Sequence, residues 1–459
     1  MKTVRTSLTP LLLAALLGGC AGGGETGTGL ISTDPVVSLG SITGFGSVYV
    51  NGVHFQTTGS SVSLNGAGAN ETDLKLGMVV KVRGKIDAND STLGIASAVE
   101  FENELKGAVT AATLDANNIG TITVMGQTIN LDSNTLIDGA TTIAVNNVVE
   151  ISGYADGLGN IYATLVDVKK LAYAAGDEIE LKGVISNLTT ATTFTIASQL
   201  VDFTSANINA PLQNGALVEI KSTTGFNAGT LIANRIEVKN INGTEFDGED
   251  GQEIELEGLV TTVDLDNNLI IVNGYTVIVD NPSLFNVGSR IEVKGQFNGD
   301  GKLVLKEYES RISSDLEING LITMDLGNQP NQIVLFNRSF IINNQTIMND
   351  DRDDLGTPPD HYFGISDLNT GNRVEVRAYL NGNNALIVTR LDRINNANPI
   401  SEPYTIKGII SATDSTTYLT IKDNFTIDIS AVAGQLAGKG VNDEVEAEVD
   451  ASMVAIAIH

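Results

Sequence analysis

The chain has 459 residues, with 55 acids against 27 bases and a formal charge of −28. An excess of that size repels phosphate backbones and argues against nucleic acid as a partner. Forty-eight glycines, nine prolines and no tryptophan suit short strands joined by tight turns, and a single cysteine rules out a disulfide framework, so stability must come from apolar cores.

At the amino terminus Lys2 and Arg5 precede the apolar run Leu11-Leu12-Leu13-Ala14-Ala15-Leu16-Leu17, which is too short to span a bilayer and reads as an export signal. Its last four residues, Leu17-Gly18-Gly19-Cys20, resemble the lipobox of bacterial lipoproteins. That resemblance implies cleavage after residue 19, diacylglycerol and palmitate on Cys20, and, with Ala21 following, an outer-membrane destination. Residues 20–38, glycine-rich at their start, are expected to form a flexible tether.

Beyond the tether an alternating phrase recurs six times: Val79–Gly84, Val148–Gly153, Leu217–Lys221, Arg290–Gly295, Arg373–Arg377 and Glu444–Val449. Apolar and charged residues at period two predict a strand with one buried and one wet face. Each copy follows a glycine that opens a unit, at Gly44, Gly107, Gly183, Gly258, Gly320 and Gly408. Between these landmarks lie hairpins, clearest at Asn51-Gly52, Met125-Gly126 and Asn273-Gly274, where Asn-Gly supplies the left-handed pair of a type I′ turn. Looser turns are expected around Asn337-Arg338-Ser339 and Lys422-Asp423-Asn424.

About five strands per unit, entered by a bent strand and a hairpin, predict an all-β chain: a tandem array of about six small five-stranded barrels of the OB type. An immunoglobulin-like sandwich would need about seven strands and usually a core tryptophan. The expected units are 39–105, 106–181, 182–256, 257–318, 319–406 and 407–459, projecting from the membrane as a string.

Gly40–Val53 together with Asp73–Gly84 resembles a family of bacterial lipoproteins built from tandem OB-like domains, classed as a domain of unknown function. The resemblance is specific over the first unit and looser over the other five. It implies fold and location, and no catalytic or binding residue carries over.

Motifs for chemistry are sparse. His54, His361 and His459 are too scattered for a histidine metal cage, and nucleophile elbow, zincin and Walker patterns are missing from the sequence. Asp350, Asp351, Asp353 and Asp354 cluster in an insertion of the fifth unit and could serve a calcium ion. The spacing misses the EF-hand rule, Arg352 interrupts it, and a solvated acidic loop is the plainer reading. Asp264, Asp266 and Asn268 are weaker versions of the same pattern, and residues 246–251 read as an inter-unit joint.

The expectation is a lipid-anchored, non-catalytic structural or interaction module without a cofactor, meeting the membrane through Cys20 and other envelope proteins or polysaccharide through its loops. The alternatives are a ligand-binding lipoprotein for an oligosaccharide or divalent cation, and a carboxylate-based hydrolase, for which 55 acids offer no selectable pair.

Overall fold

A computed structural model describes residues 32–459 apart from 116–117, 190–191, 312–313, 315, 324–330, 344–345, 351, 353–362, 382, 395–402, 423 and 437. Its strands form three sheets of 12, 14 and 11 strands, and the repeating motif is a small barrel. In unit 1 the opening strand Ser32–Phe45 pairs with Val48–Val50, which pairs with Val53–Gln56. That strand runs parallel to Leu93–Phe101, which returns through Val79–Asp87 to the opening strand. The ring order is therefore first, second, third, fifth, fourth, first, as in an OB barrel. Units 2 and 4 close in the same order. In unit 3 the last strand is broken into Thr230–Ile232 and Arg235–Asn240, so the two halves of its ring belong to different ladders.

A long opening strand can serve two sides of so small a barrel only by bending. The ladder slips by one residue between Ile42 and Gly44, Val109 and Ala111, Val260 and Thr262, and Ile410 and Ala412. Two residues before each slip stands the required glycine. In unit 1 that residue is Gly40 rather than the expected Gly44, because Gly40 faces Val80 as Gly258 faces Ile291. A Cβ on Gly40 would lie 2.1 Å from Asn51 Oδ1, and one on Gly258 would lie 2.4 Å from Asn273 Cγ. In both units the turn asparagine folds back over the glycine, and Asn273 Nδ2 donates to the Glu257 carbonyl at 2.9 Å. Gly44 sits past the bulge with room for a side chain, 3.4 Å from the Tyr49 ring.

The Asn51-Gly52, Met125-Gly126 and Asn273-Gly274 turns have positive φ at both residues. Unit 5 departs from expectation: its turn is a tight pair one residue earlier, Phe336-Asn337, with φ of 48° and 59°. That backbone is unfavourable for a bulky residue. Here the Phe336 ring is held against Gly320 and edge-on to Tyr404 at 5.5 Å.

The units do not form a string. The opening strands of units 1 and 4 run parallel, Val36–Leu39 beside Glu253–Leu256. Those of units 2 and 3 meet antiparallel at Leu105 and Leu181, and those of units 5 and 6 at Ile318 and Ile406. Apolar cores cross these seams. Units 5 and 6 share one cluster, units 2 and 3 another, Val37 and Leu39 enter the core of unit 4, and Leu136 and Leu165 of unit 2 enter that of unit 1. Separating the units would expose this area at roughly 25 cal/mol per Å².

In units 2, 3 and 4 that consolidation removes the expected wet face of the charged strand. Residues Val148–Tyr154 and Leu217–Ile220 are buried on both faces, with Glu150, Glu219 and Glu292 at 6%, 4% and 2% exposure. In units 1, 5 and 6 the alternation between buried and more accessible positions holds, at Val79–Arg83, Val374–Ala378 and Glu444–Val449.

Candidate functional site

The buried charges follow a repeating ladder. Within a unit the acid of the charged strand stands directly opposite a second acid on the last strand: Glu150 with Asp167, Glu219 with Glu237, Glu292 with Glu309, Glu375 with Asp392. Like charges in that register repel, so each pair needs a cation. Lys169 supplies it in unit 2, at 3.0 Å from Glu150 and 2.6 Å from Asp167. Lys239 does so in unit 3, at 2.9 Å from Glu219 and 3.3 Å from Glu237. In both, the cation follows the acid by two residues on the last strand and so shares its face. In unit 5 each acid takes its own arginine, Glu375 with Arg377 at 3.0 Å and Asp392 with Arg390 at 2.7 Å.

Unit 4 extends the ladder across unit boundaries. Glu257, fully buried, accepts from Arg290 Nη2 and Nε at 2.6 and 2.7 Å. Its other oxygen accepts from the Ser41 amide and hydroxyl of unit 1 at 3.2 and 3.1 Å. Arg290 lies 4.9 Å over the Tyr154 ring of unit 2. Burial opposes the charge on Glu257, but Arg290 and Arg311 overcome it and pull the carboxyl down to about 2. Burial, aided by Glu257 charge, pushes the Tyr154 phenol well up.

Glu292, across the ladder from Glu257, is affected in the opposite sense. Burial outweighs the attraction of Arg311, 2.7 Å away, and of Lys294, while Glu255 and Glu257 add repulsion, so its carboxyl is pushed up to about 7. A folded value above the unfolded one of roughly 4.3 means a contribution present below that pH and lost as pH rises through 7. Stability should fall by on the order of 3 kcal/mol between pH 5 and 8 from this group. Urea denaturation at the two pH values checks it: Glu292→Gln should lose that slope, and an unchanged slope would refute the assignment. Glu257 does not interfere, since its linkage lies below pH 4.5.

Beside this cluster units 1, 2, 4 and 5 border a half-open cavity of about 480 Å³. Its lining includes the charged Glu257, Arg290 and Arg311, the aliphatic Leu131, Leu259, Ile347, Ile387 and Val388, the rings of Tyr162 and Tyr379, and several hydroxyls and amides. Cross-unit hydrogen bonds frame it, Thr389 Oγ1 to Asn134 Oδ1 at 3.0 Å and Ser133 with Ser314 at 2.6 Å.

The residues singled out from sequence lie elsewhere. Cys20 is outside the described residues, as are Asp351, Asp353, Asp354 and His361. Asp350 is described: its carboxylate, 1% exposed, is engaged by Arg352 at 2.7 Å and by Arg393. Burial opposes its charge, yet these arginines hold it below the usual carboxylate range. Asp264 accepts from the Asp266 and Asn267 amides at 3.1 Å, as a turn cap does. His54 stacks on Tyr49 at 4.4 Å, with Nε2 toward the Gly46 carbonyl. Among the described residues no group of three or more His, Cys, Asp or Glu is arranged for a metal ion, and no helix is long and apolar enough to cross a membrane. Sequence reading missed Glu257, Arg290 and Arg311. The available signal was the acid, spacer, base pattern closing units 2, 3 and 4, in Asp167-Val168-Lys169, Glu237-Val238-Lys239 and Glu309-Ser310-Arg311.

The family model for a domain of unknown function (DUF5666) matches residues 36–96, 106–167, 182–237, 257–304 and 319–392, more than half of the chain in five tandem copies. No curated protein matches it.

Proposed function

We propose that this chain, which belongs to the DUF5666 family, is a lipid-anchored, non-catalytic structural or interaction protein of the bacterial envelope, held to the outer membrane through Cys20. The observation that carries the non-catalytic reading is the engagement of the buried acids. A carboxylate hydrolase needs two acids facing one cleft. Glu257 and Glu292, which stand opposite each other in the ladder, are tied to Arg290 and Arg311 at 2.6 and 2.7 Å. Glu257 joins units 1 and 4 through Ser41, and Glu292 is paired within unit 4.

The anchoring rests on the export signal and on Cys20 at its end. Several acyl chains, at about 0.8 kcal/mol per buried methylene, make attachment effectively permanent. Fractionation of expressing cells after labelling with radioactive palmitate tests it. The wild type should take up label and sediment with outer membrane, and Cys20→Ser should be unlabelled and released. A variant that still sediments with membrane would refute the anchor.

A further inference from the structure

We infer that the cavity between units 1, 2, 4 and 5 binds a short neutral saccharide. The site lies where four barrels meet.

Charge decides the ligand class first. Each guanidinium of the lining already faces a carboxylate, Arg290 with Glu257 at 2.6 Å and Arg311 with Glu292 at 2.7 Å, so an anionic ligand would have to compete with an acid of the chain for its charge. Asp132, exposed at the rim, spends one oxygen on the Asn134 and Thr135 amides of its own loop, at 2.8 and 3.1 Å. One rim carboxylate is a poor site for a hard cation, which wants six or more oxygens.

Neutral groups make up the rest of the polar wall. Ser289, Ser310, Thr389 and Asn130 come from three units and line one space. Ser289 and Thr389 give their hydroxyl protons to the Asn286 carbonyl at 2.6 Å and to Asn134 Oδ1 at 3.0 Å and so offer lone pairs, while the Ser310 hydroxyl and the Asn130 amide group can donate as well as accept, a mixture that suits sugar hydroxyls. Tyr162 is 39% exposed and shares the lining with Tyr379, giving ring faces for the apolar side of a pyranose. Two of the ten tyrosines in a chain without tryptophan thus meet at one cavity. A volume of about 480 Å³ lies in the range of small-molecule sites. The cross-unit bonds of Thr389 and Ser41 hold the walls in place before a ligand arrives, which lowers the ordering cost of binding.

The test uses the full chain in detergent on an array of neutral and acidic bacterial and plant oligosaccharides, with hits measured by titration calorimetry. Binding to at least one neutral di- to tetrasaccharide is expected. Tyr162→Ala should weaken it at least tenfold with an unchanged melting temperature, while Leu158→Ala, on an exposed turn, should leave it unchanged. An array without neutral hits, hits confined to acidic glycans, or a Tyr162→Ala protein that binds like wild type would each overturn the inference. These readouts are independent of palmitate labelling, so this site and the anchor can fail separately.

Discussion

Glu257→Gln should destabilise the protein by about 3–5 kcal/mol, the cost of removing one partner from a buried ion pair. The carboxylate is fully buried, accepts twice from Arg290 and twice from Ser41, and has Arg311 Nε 3.5 Å away. Glutamine preserves the shape but turns its N–H₂ toward either the Arg290 guanidinium or the Ser41 amide, neither of which can accept, and leaves two guanidinium charges with one fewer anion. Because the folded carboxyl sits at about 2 and the unfolded one near 4.3, the wild-type contribution is present above pH 4.5 and is lost as pH falls through 2. The gap between wild type and variant should therefore shrink below pH 4.5, and it should also narrow from pH 5 to 8, because losing the Glu257 charge removes part of the repulsion that raises Glu292. Urea denaturation followed by far-ultraviolet circular dichroism measures it. A variant within 0.5 kcal/mol of wild type at pH 7, judged against the small effect expected of surface changes, would show that the cluster does not hold units 1 and 4 together.

Lys182→Met is the second change expected to cost about 3–5 kcal/mol, at a different joint. The lysine side chain, 6% exposed, bridges Glu104, between units 1 and 2, and Glu245, between units 3 and 4, at 2.8 Å each. Its amide also donates to the Glu104 carbonyl at 2.9 Å, which the substitution leaves intact. Burial already pushes Glu104 up despite Lys182, whereas Lys182 pulls Glu245 down against burial. Without the ammonium both acids should protonate more readily when folded than when unfolded. Their penalty is then absent below about pH 4.3 and grows as pH rises. The variant should therefore lie closer to wild type at pH 5 than at pH 8. A loss independent of pH would mean that the lysine acts through its packing alone.

Much of the fold was legible because it is written at short range. Period-two alternation located the charged strands, and Asn51-Gly52 and Asn273-Gly274 marked hairpins because few other pairs tolerate two left-handed residues. The recurring glycine was legible as a landmark, yet its place in unit 1 was not. Gly40 and Gly44 look alike in sequence, and what separates them is Asn51, whose side chain folds back over Gly40. Phe336-Asn337 was missed as a tight turn because nothing local favours φ above zero at phenylalanine; contacts with Gly320 and Tyr404 compensate it.

The candidate site was hardly legible at all. A glutamate on an alternating strand reads as solvent-facing, and Glu150, Glu219 and Glu292 have the same pattern as surface acids. They are buried because neighbouring units cover their face and lysines or arginines neutralise them. Arg290 reaches Ser41 across 249 residues of chain, a distance over which local periodicity carries no information.

By itself, then, the sequence determined the strand content, the hairpins and the repeating barrel, since these depend on backbone propensity and on the alternation of residues within a few positions. Tertiary structure alone decided that unit 1 pairs with unit 4, that the charged-strand acids of units 2, 3 and 4 are interior, and that four units border one cavity. Those outcomes depend on how one barrel covers another, and a side chain bears the same charge in the sequence whether water or an arginine lies beside it.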